Sequence, residues 1–191
     1  LAVLSGCTPT PAPAPTVTVT STVTASPTAS PTTEPAPAPS PTGATPTLSG
    51  TAFNFDCSAL DALGTATTVD PNYTTARQWS PTPGTSAAAI SGIDGVDCAW
   101  VTPDATLVIG LALPDAATSV YYQEQLSASS EPVSGFGANP TPGYFTVTDG
   151  VGEADVFTTA GYWVSISAPQ FATANDVGPT LAAVLQTLPA G

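Results

Sequence analysis

Nearly every ionisable side chain in this chain is a carboxylate: 14 Asp and Glu stand against a single base, Arg77, and there is no His. Two carboxyl groups about 5 to 9.5 Å apart are the toolkit of glycoside hydrolysis, one giving a proton while the other attacks or activates water. Asp149, Glu153 and Asp155 lie close enough in sequence to be weighed for that role. Against it, Asp149-Gly150 reads as a hairpin turn, and Glu153 and Asp155 read as solvated strand-edge charges that discourage edge pairing. Acids without bases also suit calcium, which gathers carboxylate and carbonyl oxygens. Asp94-Gly95-Val96-Asp97 and the run from Asp149 to Asp155 are the candidates. Neither has EF-hand spacing, and Gly150-x-Gly152-x-x-Asp155 is only a short match to repeat-type calcium loops. A serine nucleophile has no Gly-x-Ser-x-Gly and no His or Lys to activate it. The expectation is therefore no catalytic residue, no metal and no cofactor.

The charge excludes several partners. At net charge -13 the chain cannot neutralise a run of phosphates, which rules against nucleic acid, against electrostatic attachment to anionic lipid and against phosphoryl transfer. Binding is what remains, and aromatic side chains are its usual anchors. Trp100 is read as core. Trp79, on a loop, and Trp163 with Tyr162, on a late strand, are candidates for partial exposure, where they could stack on sugar rings or anchor a protein. Phe136, between Gly135 and Gly137, is either tucked under its loop or used.

Three Cys complete the reactive groups. Leu1-Ala2-Val3-Leu4-Ser5-Gly6-Cys7 is an apolar stretch, a small residue and a Gly directly before Cys, and it resembles the lipobox that ends bacterial lipoprotein signal peptides. The resemblance implies diacylglycerol on the Cys7 thiol, removal of residues 1 to 6 and Cys7 as the mature N-terminus. Anchoring by acyl chains needs no transmembrane helix, since each buried CH2 contributes about 0.8 kcal/mol. With Cys7 so assigned, an exported chain meets oxidising conditions and the count favours a disulfide between Cys57 and Cys98; two reduced buried thiols are the alternative. Two isolated Cys without His cannot complete a tetrahedral metal set.

The elements that must position these groups divide the chain in two. Residues 8 to 50 are almost wholly Pro, Thr, Ala, Ser and Val, with Glu34 as the only charge and no aromatic residue. Such a segment buries too little apolar area to offset its ordering entropy, and its prolines favour extended geometry. It is expected to be a disordered Pro/Thr-rich stalk, reaching on the order of 130 Å when fully extended. Residues 51 to 191 carry all the aromatic residues and the length of one domain. A short helix is expected where Cys57, Leu60 and Leu63 share a stripe, with Asp56 as cap and Gly64 as stop. Residues 65 to 86 read mainly as loop, helical at most in the middle. Val96, Cys98 and Trp100 alternate on one face of a strand, and Leu107, Ile109, Leu111 and Leu113 on one face of the next. The opposite face, with Ala99, Val108, Gly110 and Ala112, is small and uncharged, so partial cover is expected there too. Asp115 opens a helix reaching about Ala128. Phe145 and Val147, then Ala154 to Thr158, then Tyr162 to Ser167 give three more strands, with a turn at Asp149-Gly150. A last helix, begun by Asn175 or Asp176 with Pro179 in its first turn, puts Val177, Leu181, Val184 and Leu188 on one stripe. The predicted fold is α+β: an antiparallel sheet of about five strands packed by N- and C-terminal helices.

Cys57-Ser58-Ala59-Leu60 with Gly64, then Cys98-Ala99-Trp100 before an apolar strand, together with the lipobox and the Pro/Thr spacer, resemble the actinobacterial envelope lipoproteins of uncharacterised function. The chain departs from their pattern in lacking a second Leu directly after Leu60. The resemblance implies a protein on the extracellular face of the cell membrane, held by its lipid. The expected role is non-catalytic, binding or accessory, with an envelope protein, lipid or glycan as partner; the competing readings are a calcium-dependent or acid-pair enzyme acting on wall polysaccharide and an accessory subunit of a membrane or wall protein complex.

Overall fold

The computed structural model describes residues 47–52 and 54–189. The expectations for Cys7, for the signal peptide and for most of the stalk lie outside the described residues. Leu48 to Gly50, at the end of the expected spacer, belong to the folded body. Leu48 packs against the cluster of Ile90, Ile93, Ala112 and Trp163, Gly50 bridges Pro114, and the Thr51 amide donates to the Leu113 carbonyl at 2.8 Å.

The fold is α+β with one open antiparallel sheet. Its strands are β1 (Thr74–Thr75), β2 (Val96–Val101), β3 (Thr106–Ala112), β4 (Glu131–Val133), β5 (Gly143–Thr148), β6 (Val151–Phe157) and β7 (Trp163–Ala168). They lie in the order β1-β2-β3-β7-β6-β5-β4. The sheet therefore has seven strands rather than about five. The two additional ones are the edges, β1 with two residues and β4 with three, too short to show alternation. Pro132 in β4 is tolerated because an edge strand has one side free of ladder bonds. Thr148 pairs with Val151 across Asp149 and Gly150, whose φ values of 52° and 81° are those of a two-residue hairpin turn.

Alternation sorts the strands into two faces. Cys98, Trp100, Leu107, Ile109, Leu111, Phe145, Ala154, Val156, Val164 and Ile166 form the apolar face and are all buried. It is covered by α1 (Ser58–Ala62), α2 (Thr65–Val69) and α5 (Ala174–Thr187), which contribute Leu60, Ala66, Val177, Leu181 and Val184. A disulfide joins Cys57, at the start of α1, to Cys98 on β2, and the Trp100 indole N–H donates to Asp61 Oδ1 at 2.6 Å. The first helix is thus tied to the sheet covalently at one end and by a charge-assisted hydrogen bond along its length. α5 begins earlier than expected. Thr173 is its N-cap, Asp176 Oδ2 accepts from the Thr173 amide and hydroxyl, and Pro179 falls inside the helix rather than in its first turn.

The second face is covered by α3 (Ser86–Ser91) and α4 (Ala116–Ser129). α4 is capped by Asp115, which accepts from the Thr118 amide at 2.7 Å. Thr118 is the one fully buried residue of α4, and the Tyr122 ring rests 4.5 Å from that of Trp163, itself stacked on Phe157. None of the described helices is long and apolar enough to cross a membrane.

Candidate functional site

The second face of the sheet carries the polar side chains that the apolar face excludes, arranged in rows set by strand register. One row runs Ala99, Val108, Ser167, Glu153, Thr146 from β2 to β5; the next runs Asp97, Gly110, Ser165, Asp155, Tyr144. Helix α3 lies across these rows. Thr85 caps it by accepting from the Ala88 amide, and Ile90 drives into the gap left by Gly110. An added Cβ at Gly110 would stand 2.8 Å from both Ile90 Cδ1 and Asp97 Oδ1, so the glycine makes room for the helix.

Two serines pin α3 to three carboxylates. At its C-terminal end Ser91 donates to Asp97 Oδ2, while Asp97 Oδ1 is buried without a partner. Burial raises the Asp97 pKa, and the Ser91 bond opposes that rise. At its N-terminal end the Ser86 hydroxyl lies 2.6 Å from Glu153 Oε1 and 3.1 Å from Asp155 Oδ2. Asp155 is 1% exposed, and its Oδ1 accepts from the Trp163 indole N–H at 2.8 Å. Its pKa is pushed up to about 8, by burial first and by the charge of Glu153 second; the bonds from Trp163, Ser86 and Ser165 pull the other way. Burial thus favours the protonated form of Asp155. The Ser86 hydroxyl donates between the two carboxyls, with the shorter contact to Glu153. The result is a polarised chain, Trp163 to Asp155 to Ser86 to Glu153, whose outer end reaches the surface.

That end opens into a trough of about 860 Å3. Its floor is the sheet itself, with Val108, Ser167, Glu153 and Thr146 from one row. One wall is the N-terminal turn of α3 with the loop carrying Trp79, and the other is the C-terminal turn of α4 from Leu126 to Ser130. Asp104 and Asp149, in the β2–β3 and β5–β6 turns, stand at one end. The lining thus has three carboxylates and no cation, since Arg77 is not among its residues.

Several expectations are corrected here. Glu153 and Asp155 are not edge charges: β6 lies between β5 and β7, Asp155 is sealed under α3, and only Glu153 reaches the trough. Trp163 and Tyr162 are not surface anchors; they are 1% and 8% exposed, Trp163 under α4 and Tyr162 within the core of the apolar face. Phe136 is tucked under, fully buried beside Gly143 and Gly178, and Trp100 is core. Trp79 is half-buried at the trough wall. Among the described residues no three or more Cys, Asp or Glu are grouped to hold a metal ion, so neither candidate calcium segment brings three carboxylates together. Ser86 was not singled out by the sequence, although Thr85-Ser86 before Ala87-Ala88-Ala89-Ile90 is a capping signal ahead of good helix formers.

Comparison of the chain with protein-family models, with curated proteins and with solved structures finds no match.

Proposed function

We propose that this chain is a lipid-anchored protein of the outer cell surface, whose folded body binds a ligand in the trough on the second sheet face and catalyses no reaction. The observation that carries the binding reading is the trough: about 860 Å3, within the range of ordinary ligand sites, floored by regular strands and lined by hydroxyls, an aromatic ring and carboxylates. The non-catalytic reading is supported by where the acids lie. A two-carboxylate hydrolysis needs both groups facing one glycosidic bond, and Asp155 faces Trp163 and Ser86 instead, out of reach of any substrate. Asp104 and Asp149 sit in turns at the trough's end rather than opposite Glu153 on its floor.

The anchor rests on sequence alone, on Gly6-Cys7 behind an apolar stretch and ahead of a Pro/Thr-rich spacer. With Cys7 acylated, the full chain expressed in its native host partitions into the detergent phase, and Cys7→Ala moves it to the aqueous phase. Equal partitioning of the two forms would overturn the anchor and leave the trough reading untouched.

A further inference from the structure

Resting on the reading of the trough as the ligand site, we propose that its ligand is a saccharide chain, stacked on Trp79 and hydrogen-bonded to Glu153. Four features of the molecule favour that class over others. The trough floor crosses β3, β7, β6 and β5, three strand spacings or roughly 14 Å, which is the scale of a short oligomer rather than one small molecule. The floor hydroxyls of Thr106, Thr146, Thr148 and Ser167 both donate and accept, so the matching ligand is one whose own groups do both along its length. Sugar hydroxyls meet that condition; the side chains of a Lys- or Arg-rich peptide only donate. The absence of any cation from the lining, with carboxylates at Asp104, Asp149 and Glu153, turns away phosphorylated, sulfated or uronic ligands.

The fourth feature is the pairing of one available aromatic ring with one fixed acceptor. Trp100 and Trp163 are each 1% exposed, whereas Trp79 is half-buried in the trough wall, where a ring can meet the apolar face of a pyranose. Glu153 Oε1 is held by Ser86 at 2.6 Å, and among the described residues its other oxygen accepts nothing, leaving it to take a bond from a sugar hydroxyl. Ser86 and the buried Asp155 act as positioning residues for that acceptor.

The test uses the full chain, titrated with maltohexaose, cellohexaose, laminarihexaose and chitohexaose, and with hexalysine as the cationic comparison. Binding is read by calorimetry and by tryptophan emission, which reports Trp79 because the other two indoles are buried already. The expected result is that at least one hexasaccharide binds and shifts the emission, with an affinity that changes less than about twofold between low and high salt, as for a neutral ligand. Glu153→Gln, which keeps the Ser86 bond, should weaken that binding about tenfold, and Trp79→Ala about fivefold, with both variants keeping the circular dichroism spectrum of the wild-type fold. If hexalysine alone binds, and Glu153→Gln weakens it, the saccharide assignment is overturned while the trough reading stands. If a hexasaccharide binds and neither substitution affects it, or if no probe binds, both readings fall.

Discussion

Replacing Asp155 by asparagine should remove a pH dependence that the fold carries in its centre. In the unfolded chain an Asp titrates near 3.9, whereas burial and the neighbouring Glu153 charge hold Asp155 at about 8 in the folded one. Below about pH 4 both states are protonated and the group contributes nothing to pH dependence. Between about 4 and 8 the unfolded state has released the proton and the folded state retains it, so each pH unit costs the fold about 1.4 kcal/mol. The accumulated loss at pH 7 is about 4 kcal/mol, levelling off above 8, where both states are ionised. The amide introduced by Asp155→Asn would be neutral throughout and isosteric with the protonated acid: its carbonyl oxygen accepts from Trp163 and its NH2 group donates to Ser86. Urea unfolding of the wild-type chain and the variant, followed by circular dichroism at pH 4, 5.5 and 7, isolates the effect, because the other carboxylates are common to both. The variant's stability relative to wild type should rise by several kcal/mol from the lowest pH to the highest. Parallel profiles would refute the protonated, buried state of Asp155 and with it the Asp155–Ser86–Glu153 chain.

Three other outcomes follow from the packing. Reducing the Cys57–Cys98 bridge, or replacing both residues by Ser, frees a loop with a sequence separation of 41, and the chain-entropy relation gives a loss of about 4 kcal/mol in urea unfolding. Gly110→Ala would force Ile90 and Asp97 away from the sheet, costing about 1–3 kcal/mol, and should weaken protection of the α3 amides in hydrogen exchange more than those of α5. Tyr122→Ala removes the ring that seats α4 on Trp163, costing about 2 kcal/mol; the α4 amides should then exchange faster while β3 and β7 keep their protection.

The apolar face of the sheet is legible in the sequence because period-2 alternation and burial have the same cause. Cys98 and Trp100, Leu107 with Ile109 and Leu111, and the stripe of Val177, Leu181 and Val184 in α5 read directly as elements facing one core. The parts that are not legible are held by partners distant in sequence. β1 exists because Thr74 and Thr75 find Val101 and Trp100, and β4 because Glu131 to Val133 find Phe145 to Gly143. Helices α2 and α3, with five and six residues, are too short to show a period and are stabilised by what they dock against rather than by propensity.

Glu153 and Asp155 show where local pattern reading stops. Along β6, Glu153, Asp155 and Phe157 occupy one face and Gly152, Ala154 and Val156 the other, and alternating acids opposite an apolar row is what a half-solvated strand looks like. What makes this strand different is the second cover, and that depends on a helix more than sixty residues away: Ser86 comes down on both carboxyls, with separations of 67 and 69 residues. The same helix can sit so close only because Gly110, two strands across, has no side chain. An Asp in this place is costly as an anion, so burial favours its protonated form. Its neighbour two residues earlier, displaced by one row toward the trough, keeps contact with the surface. A step of about 7 Å along one strand thus separates a structural acid from the one group on the floor able to meet a ligand as a carboxylate. Hydropathy cannot make that distinction, because it is made by α3.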